Sequence, residues 1–129
     1  MFRTIYDNLQ YRAEFSPHRS AIIGEVDIGY GELWDRIRLR AAYLTSLGLK
    51  KGQRIGVLDF NHGSVIELIL GAGLLGIVPV LLNWRLAPTE CRYILEDSDC
   101  SVLFAGNDFA ALVNQLELDE LQTTTIGPE

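Results

Sequence analysis

Residues 70–86 read LGAGLLGIVPVLLNWRL, and the placing of Gly71, Gly73 and Gly76 constrains this chain more than any other feature. The spacing is G-x-G-x-x-G. In a dinucleotide-binding turn that spacing follows a strand, opens a helix, and seats a pyrophosphate on the helix N-terminus. Here the order is reversed: the helical pattern SVIELIL precedes the glycines and the β-branched run IVPVLL follows them. The amides near Gly76 then lie at a helix C-terminus, where the dipole disfavours an anion. The next strand carries no acidic residue for a ribose: Glu90, Glu96 and Asp97, which follow it, fall on or at the end of the next helix. The glycines are therefore expected to serve packing, with Gly71 and Gly73 admitting a close neighbour and Gly76 supplying a left-handed stop.

The uncharged apolar run 68–82 raises the question of a membrane span. As one helix it would be about 22 Å long, short of a hydrocarbon core of about 30 Å. Glycines and Pro79 divide it, and Glu67 stands at its mouth. It is expected to be a helix followed by a strand buried on both faces, and no transmembrane segment is expected.

The rest of the chain alternates in the same way. A short amphipathic helix is expected over the first dozen residues, with Ile5, Leu9 and Ala13 at four-residue spacing, ended by Ser16-Pro17-His18. A brief strand at 21–23 turns through 24–27 into Ile28. The helix 30–47 carries Leu33, Ile37, Ala41 and Leu44 on one face, with Trp34 beside them, and Arg36 and Arg40 are assigned to the opposite face. Gly29 takes its N-cap position with Glu32 three residues on, a capping box lacking its hydroxyl, and Gly48 is its left-handed stop. Strands are expected at 54–58, 77–82, 101–105 and 122–126. Helices are expected from an Asn61 or Ser64 cap to about residue 75, from Pro88 to Asp97, and over 108–116. Strands alternating with helices of this length predict an α/β fold with a mainly parallel sheet.

A chain of 129 residues, 48% hydrophobic and 22% charged, is the size of one folded domain. Its net charge of −6 argues against nucleic acid as a partner, because phosphate-backbone affinity needs clustered Lys and Arg. Cys91 and Cys100 form no CxxC and have no neighbouring His, so buried free thiols are expected rather than a disulfide or a metal site. The opening MFRTIYDNLQYRAEF holds no apolar signal-peptide core, and a cytoplasmic location is expected.

Four ordered segments carry a resemblance. IGYGEL at 28–33 is similar to a hydrophobic-Thr-Tyr-x-Glu-Leu pattern, and LGLKKGQRIGV at 47–57, followed by Asn61, is similar to LGV-x-x-GDRV-x-V. GIVPV at 76–80 with NWRLAPTE at 83–90 resembles AG-x-x-x-VPLN-x-RL-x-PEEL, and YILEDS at 93–98 resembles YIL-x-DS. On these segments, which span nearly the whole chain, it is identified as the amino-terminal part of an adenylate-forming superfamily enzyme. The Asn-Trp-Arg-Leu form is most similar to fatty-acyl or aryl-acid CoA ligases. Gly29, Gln53, Leu81 and Ala87 depart from the pattern at caps and turns, and Asp59 stands where an apolar strand end is common.

The resemblance implies a partial N-terminal subdomain, with residues 1–129 a single incomplete portion of the large adenylation domain. It implies a parent that joins a carboxylic acid to CoA with ATP and Mg²⁺. The phosphate loop ending in Pro-Lys-Gly, the ribose-binding Asp and the catalytic Lys are absent from these 129 residues. No catalytic residue, metal site or bound cofactor is therefore expected in this chain, which alone should be inactive. The one candidate for cofactor binding is Arg85, since the Arg of Asn-x-Arg lies near the CoA phosphates in such ligases. Its alternative role is to pin its own loop to carbonyls or a carboxylate. Asn83 reads as a turn-former, His18 and His62 as surface or helix-start residues, Trp34 and Trp84 as packing groups, and Glu117, Asp119 and Glu120 as a solvated turn. The expected partner is the remainder of its own polypeptide, with homo-oligomers formed by the fragment through an uncovered sheet edge. A stand-alone dimerising module and an adenylation domain that loads a carrier protein are the alternatives.

Overall fold

The computed structural model describes residues 1–126. Helix α1 (Ile5–Phe15) is opened by a full capping box, in which Thr4 Oγ1 accepts from the Asp7 amide and the Asp7 carboxylate accepts from the Thr4 amide. Strands β1 (Ser20–Ile22) and β2 (Ile28–Gly29) pair antiparallel, and α2 (Tyr30–Ser46) follows directly. Then come β3 (Arg54–Leu58), α3 (Gly63–Leu74), β4 (Val78–Leu81), α4 (Pro88–Asp97), β5 (Cys100–Ala105), a 3₁₀ turn (Asn107–Phe109), α5 (Ala110–Gln115) and β6 (Gln122–Thr125).

The four later strands form one parallel sheet in the order β4-β3-β5-β6. Helices α2 and α3 cover one face, where Leu44, Val65, Leu68 and Ala72 meet Ile55, Val57, Val102 and Phe104. Helices α4 and α5 cover the other, where Cys91, Leu95 and Phe109 meet Leu58, Leu103 and Ala105. The two middle strands, β3 and β5, are thus apolar on both faces because helices cover both. The expected α/β class with a parallel sheet is what the chain adopts.

The glycines behave as packing residues. Gly76 has φ +71°, the left-handed stop that ends α3. A Cβ at Gly71 would sit 2.7 Å from Arg40 Cβ and 3.1 Å from Ala41 N, so α2 and α3 are in backbone contact there. At Gly73 a Cβ would overlap the Tyr6 hydroxyl.

Several expectations are corrected. The strand expected to be buried on both faces is the edge strand β4, with Val78 47% and Leu81 59% exposed. An apolar run reads the same whether or not a neighbouring strand is present to cover it. Arg36 and Arg40 do not point away from the core: at 3.6 residues per turn Arg40 lies about 20° from Leu33 around the helix, beside the apolar stripe. Both face Glu67, which is 4% exposed, with Arg36 Nη1 3.0 Å and Arg40 Nε 3.8 Å from its carboxylate. Its hydrogen bond to Glu67, and then that to Glu32, hold the Arg36 guanidinium protonated beyond its ordinary range. The cap of α3 is His62, rather than Asn61 or Ser64, and its side chain makes no capping bond. No box forms at Gly29, because Glu32 pairs with Arg36 at 2.6 Å. In α1, Leu9 packs on the Ile28–Leu33–Ile37 cluster but Ile5 stays 58% exposed.

Candidate functional site

The chain leaves β3 toward the α3 face and leaves β5 toward the α5 face, so the carboxyl ends of these neighbouring strands diverge. In open parallel sheets such a switch point is where ligands bind. Three loops meet there: 59–62 after β3, 82–87 after β4, and 106–109 after β5.

Asp59, for which the sequence offered no account, organises the first loop. Its carboxylate accepts from the Phe60 amide at 2.8 Å and meets His62 Nε2 at 2.7 Å. The neighbouring loop has glycine at position 106, where a Cβ would overlap that carboxylate, and Gly106 N donates to Leu58 O at 2.9 Å. His62 is exposed at the start of α3, as expected, but its pairing with Asp59 was not anticipated.

An aromatic line joins the three loops. Phe109, buried in the core, packs on Phe60 at 4.9 Å between ring centroids, and Phe60 meets Trp84 edge to face at 5.0 Å. The second loop is a turn: Asn83 Oδ1 accepts from the Arg85 amide at 3.0 Å and its carbonyl accepts from the Leu86 amide at 3.0 Å. Asn83 is therefore the turn-former it was read as. Arg85 is exposed, and its Cζ lies 3.9 Å from the centroid of the Trp84 ring. Neither a carboxylate nor a carbonyl holds its guanidinium among the described residues, which corrects the pinning alternative. Trp84 is likewise more than packing, since it carries this cation on its face.

Chemically, the edge presents a positive charge to an anion. It supplies no activated nucleophile among the described residues. Cys91 and Cys100 are free and buried, and burial pushes both thiols above their ordinary range, which keeps them protonated. No group of three or more His, Cys, Asp or Glu stands together to hold a metal ion among the described residues. Among them, no helix is long and apolar enough to cross a membrane. Glu117, Asp119 and Glu120 are exposed, Glu117 lying 3.8 Å from Arg92.

Fold and site together define the class: a parallel α/β domain with Asp59, His62 and Arg85 gathered at the carboxyl ends of its strands. Comparison with known proteins makes it particular. The AMP-binding enzyme family model matches residues 9–127. The chain is 34% identical over 122 residues to a 2-succinylbenzoate–CoA ligase of Oceanobacillus iheyensis, covering 91% of this chain and 25% of that protein. It is 36% identical over 99 residues to a 4-hydroxybenzoate–CoA/benzoate–CoA ligase of Rhodopseudomonas palustris, covering 77% of this chain and 18% of the relative. Among solved structures it resembles O-succinylbenzoate coenzyme A synthetase of Bacillus subtilis in complex with AMP, with TM-score 0.81 and 28% identity, over 92% of this chain and 30% of that one. It also resembles the N-terminal domain of FACL13 from Mycobacterium tuberculosis, with TM-score 0.88 and 30% identity, over 98% of this chain and 34% of that one. The chain belongs to the AMP-binding enzyme family, the adenylate-forming superfamily. It spans about a quarter of the length of the first of these curated relatives.

Proposed function

We propose that this chain is the N-terminal part of an AMP-forming acyl-CoA synthetase, whose parent converts a carboxylic acid, ATP and CoA to acyl-CoA, AMP and pyrophosphate. Residues 1–129 are then a single incomplete portion of the large adenylation domain, folding against the remainder of the polypeptide and working in the cytoplasm. ATP and Mg²⁺ are handled by that remainder. Arg85 meets a phosphate of the CoA nucleotide. The observation that supports this role is an exposed guanidinium at the switch-point edge, stacked on Trp84 and without a carboxylate partner among the described residues.

Among the described residues no donors converge on a triphosphate and no lysine is placed for developing charge, so the chain is inactive alone. The named relatives act on aromatic acids, which puts benzoate and 2-succinylbenzoate first among substrates to try, with a long-chain fatty acid beside them.

The test has two stages. Sequencing past the codon for Glu129 should show the frame continuing into a Ser/Thr/Gly-rich loop and Pro-Lys-Gly. A stop codon there would favour a stand-alone dimerising module, for which the open β4 edge speaks. The product of the full frame should then release pyrophosphate and form a thioester when given ATP, acid and CoA. Pyrophosphate release without a thioester would point to carrier-protein loading instead.

A further inference from the structure

The assignment of Arg85 to a phosphate leaves open how an exposed, flexible side chain could be ready for one. Arg36, Arg40, Arg54 and Arg92 each lie within 4 Å of a carboxylate. Arg85 instead lies over an indole. The difference matters chemically. A carboxylate fork uses the N–H edge of the guanidinium and cancels its charge. Stacking uses only the π-face, so all five N–H donors and the full charge stay available.

The indole is itself held. Trp84 is 36% exposed, and Phe60 meets it edge to face, with interplanar angle 71°. Phe60 rests on Phe109, which is 7% exposed and packs with Leu58, Leu103 and Ala105 at the ends of β3 and β5. On the other side the Asn83 turn fixes the Arg85 backbone. Both ends of the arginine are thereby constrained, the backbone by a hydrogen bond and the head group by a ring that leads back to the core.

We propose that Trp84 is a positioning residue: its ring, braced through Phe60 on Phe109, holds the Arg85 guanidinium in place with its N–H edge free, so that a phosphate monoester of the CoA nucleotide meets a cation already oriented. This rests on the reading of Arg85 given above and adds to it the residue that makes the arginine competent. The rotameric freedom of a long side chain is then lost on folding rather than on binding, which should tighten binding by about three- to tenfold.

The experiment uses the product of the full reading frame, with CoA and 3′-dephospho-CoA as probes in calorimetric titrations. Trp84→Leu should bind CoA about three- to tenfold more weakly, with 3′-dephospho-CoA much less affected. Trp84→Phe, which keeps an aromatic face, should recover most of the loss. Arg85→Gln should weaken CoA at least as much as Trp84→Leu does. In the free protein, the Arg85 side-chain protons should carry an upfield ring-current shift by NMR that Trp84→Leu removes and Trp84→Phe retains. Unshifted Arg85 protons in the wild type overturn the inference even if Trp84→Leu fails to fold. So does CoA affinity unchanged in Trp84→Leu while Arg85→Gln binds weakly, or a loss that Trp84→Phe does not recover. If Arg85→Gln binds CoA as the wild type does, the phosphate role of Arg85 itself falls, and this inference with it.

Discussion

Tyr6 of α1 donates its phenolic hydrogen to the carbonyl oxygen of Leu70 in α3 at 2.7 Å, and the missing side chain of Gly73 is what leaves room for that hydroxyl. The glycine spacing that imitates a phosphate turn is therefore explained by two neighbours, one at Gly73 and one at Gly71. Gly73→Ala gains up to about 1 kcal/mol of helix propensity but displaces the hydroxyl, for a net loss of about 1 kcal/mol. In a Tyr6→Phe background the obstruction is gone, and the same alanine should be neutral or stabilising. Urea unfolding of the two single variants and the double tests this change of sign; additive effects would refute it.

Gly71→Ala should be worse. Its neighbours are Arg40 Cβ and the backbone of Ile37 and Ala41, none of which can swing aside, so α2 and α3 must separate. A loss of about 2–3 kcal/mol is expected from overpacking, read as a lowered urea midpoint.

Glu67 is the buried charge that ties α3 to α2. Glu67→Ala should lower stability by about 3 kcal/mol, because it removes the carboxylate from two cations packed around a desolvated site. Glu67→Gln, which still accepts from Arg36, should lose less. Equal urea midpoints for Glu67→Ala and wild type would contradict the pairing.

Alkaline pH should destabilise the fold. Burial raises Tyr6 above its ordinary value of 10.0, and raises Cys91 and Cys100 above 9.0. The folded state thus holds these protons more tightly than the unfolded chain does. Stability from these groups is fully present below pH 9 and is lost as pH rises through the folded values. Urea midpoints should be flat from pH 7 to about 9 and then fall. The triple variant Tyr6→Phe, Cys91→Ala, Cys100→Ala should fall less steeply above that point.

The open side of β4 should make this chain associate when it is alone. Val78 and Leu81 are exposed beside unpaired backbone, the arrangement that templates strand addition. Sedimentation should show oligomers at micromolar concentrations, and Leu81→Lys should return the monomer. A wild-type monomer across that range would refute the expectation.

Much of this was readable from residues near in sequence. Arg54–Leu58 was placed to the residue, Pro88 opened its helix, and Gly48 and Gly76 stopped theirs with φ +78° and +71°. These depend on local backbone rules that a few residues carry by themselves. Ala87 shows the limit: its hydroxyl is missing from the cap, yet its amide still donates to Glu90 at 2.8 Å, half of the box surviving. Gln53, standing where an acid is usual, accepts from the Lys50 amide at 2.7 Å and bonds Ser101 at 3.2 Å. In the candidate site, Asn83 was readable as a turn-former from its residue type, while Arg85 was singled out through a family resemblance rather than through any pattern of charge.

The sequence by itself determined the order of helices and strands, the direction in which the glycine segment runs, and thus the parallel α/β class. Period, caps and stops are properties of adjacent residues, and they act before any tertiary contact forms. Tertiary structure alone decided that β4 lies at an edge, that Arg36 and Arg40 serve a buried carboxylate, that Asp59 holds His62 beneath Gly106, and that Arg85 rests on Trp84. The edge position of β4 and the Arg36–Glu67–Arg40 contact join elements whose spacing along the chain carries no trace of them, because strand order and helix packing are settled by how apolar faces close over one another. Asp59 with His62, and Trp84 with Arg85, are close in sequence, but the direction of their side chains is set by how the loops fold over Gly106 and Phe60.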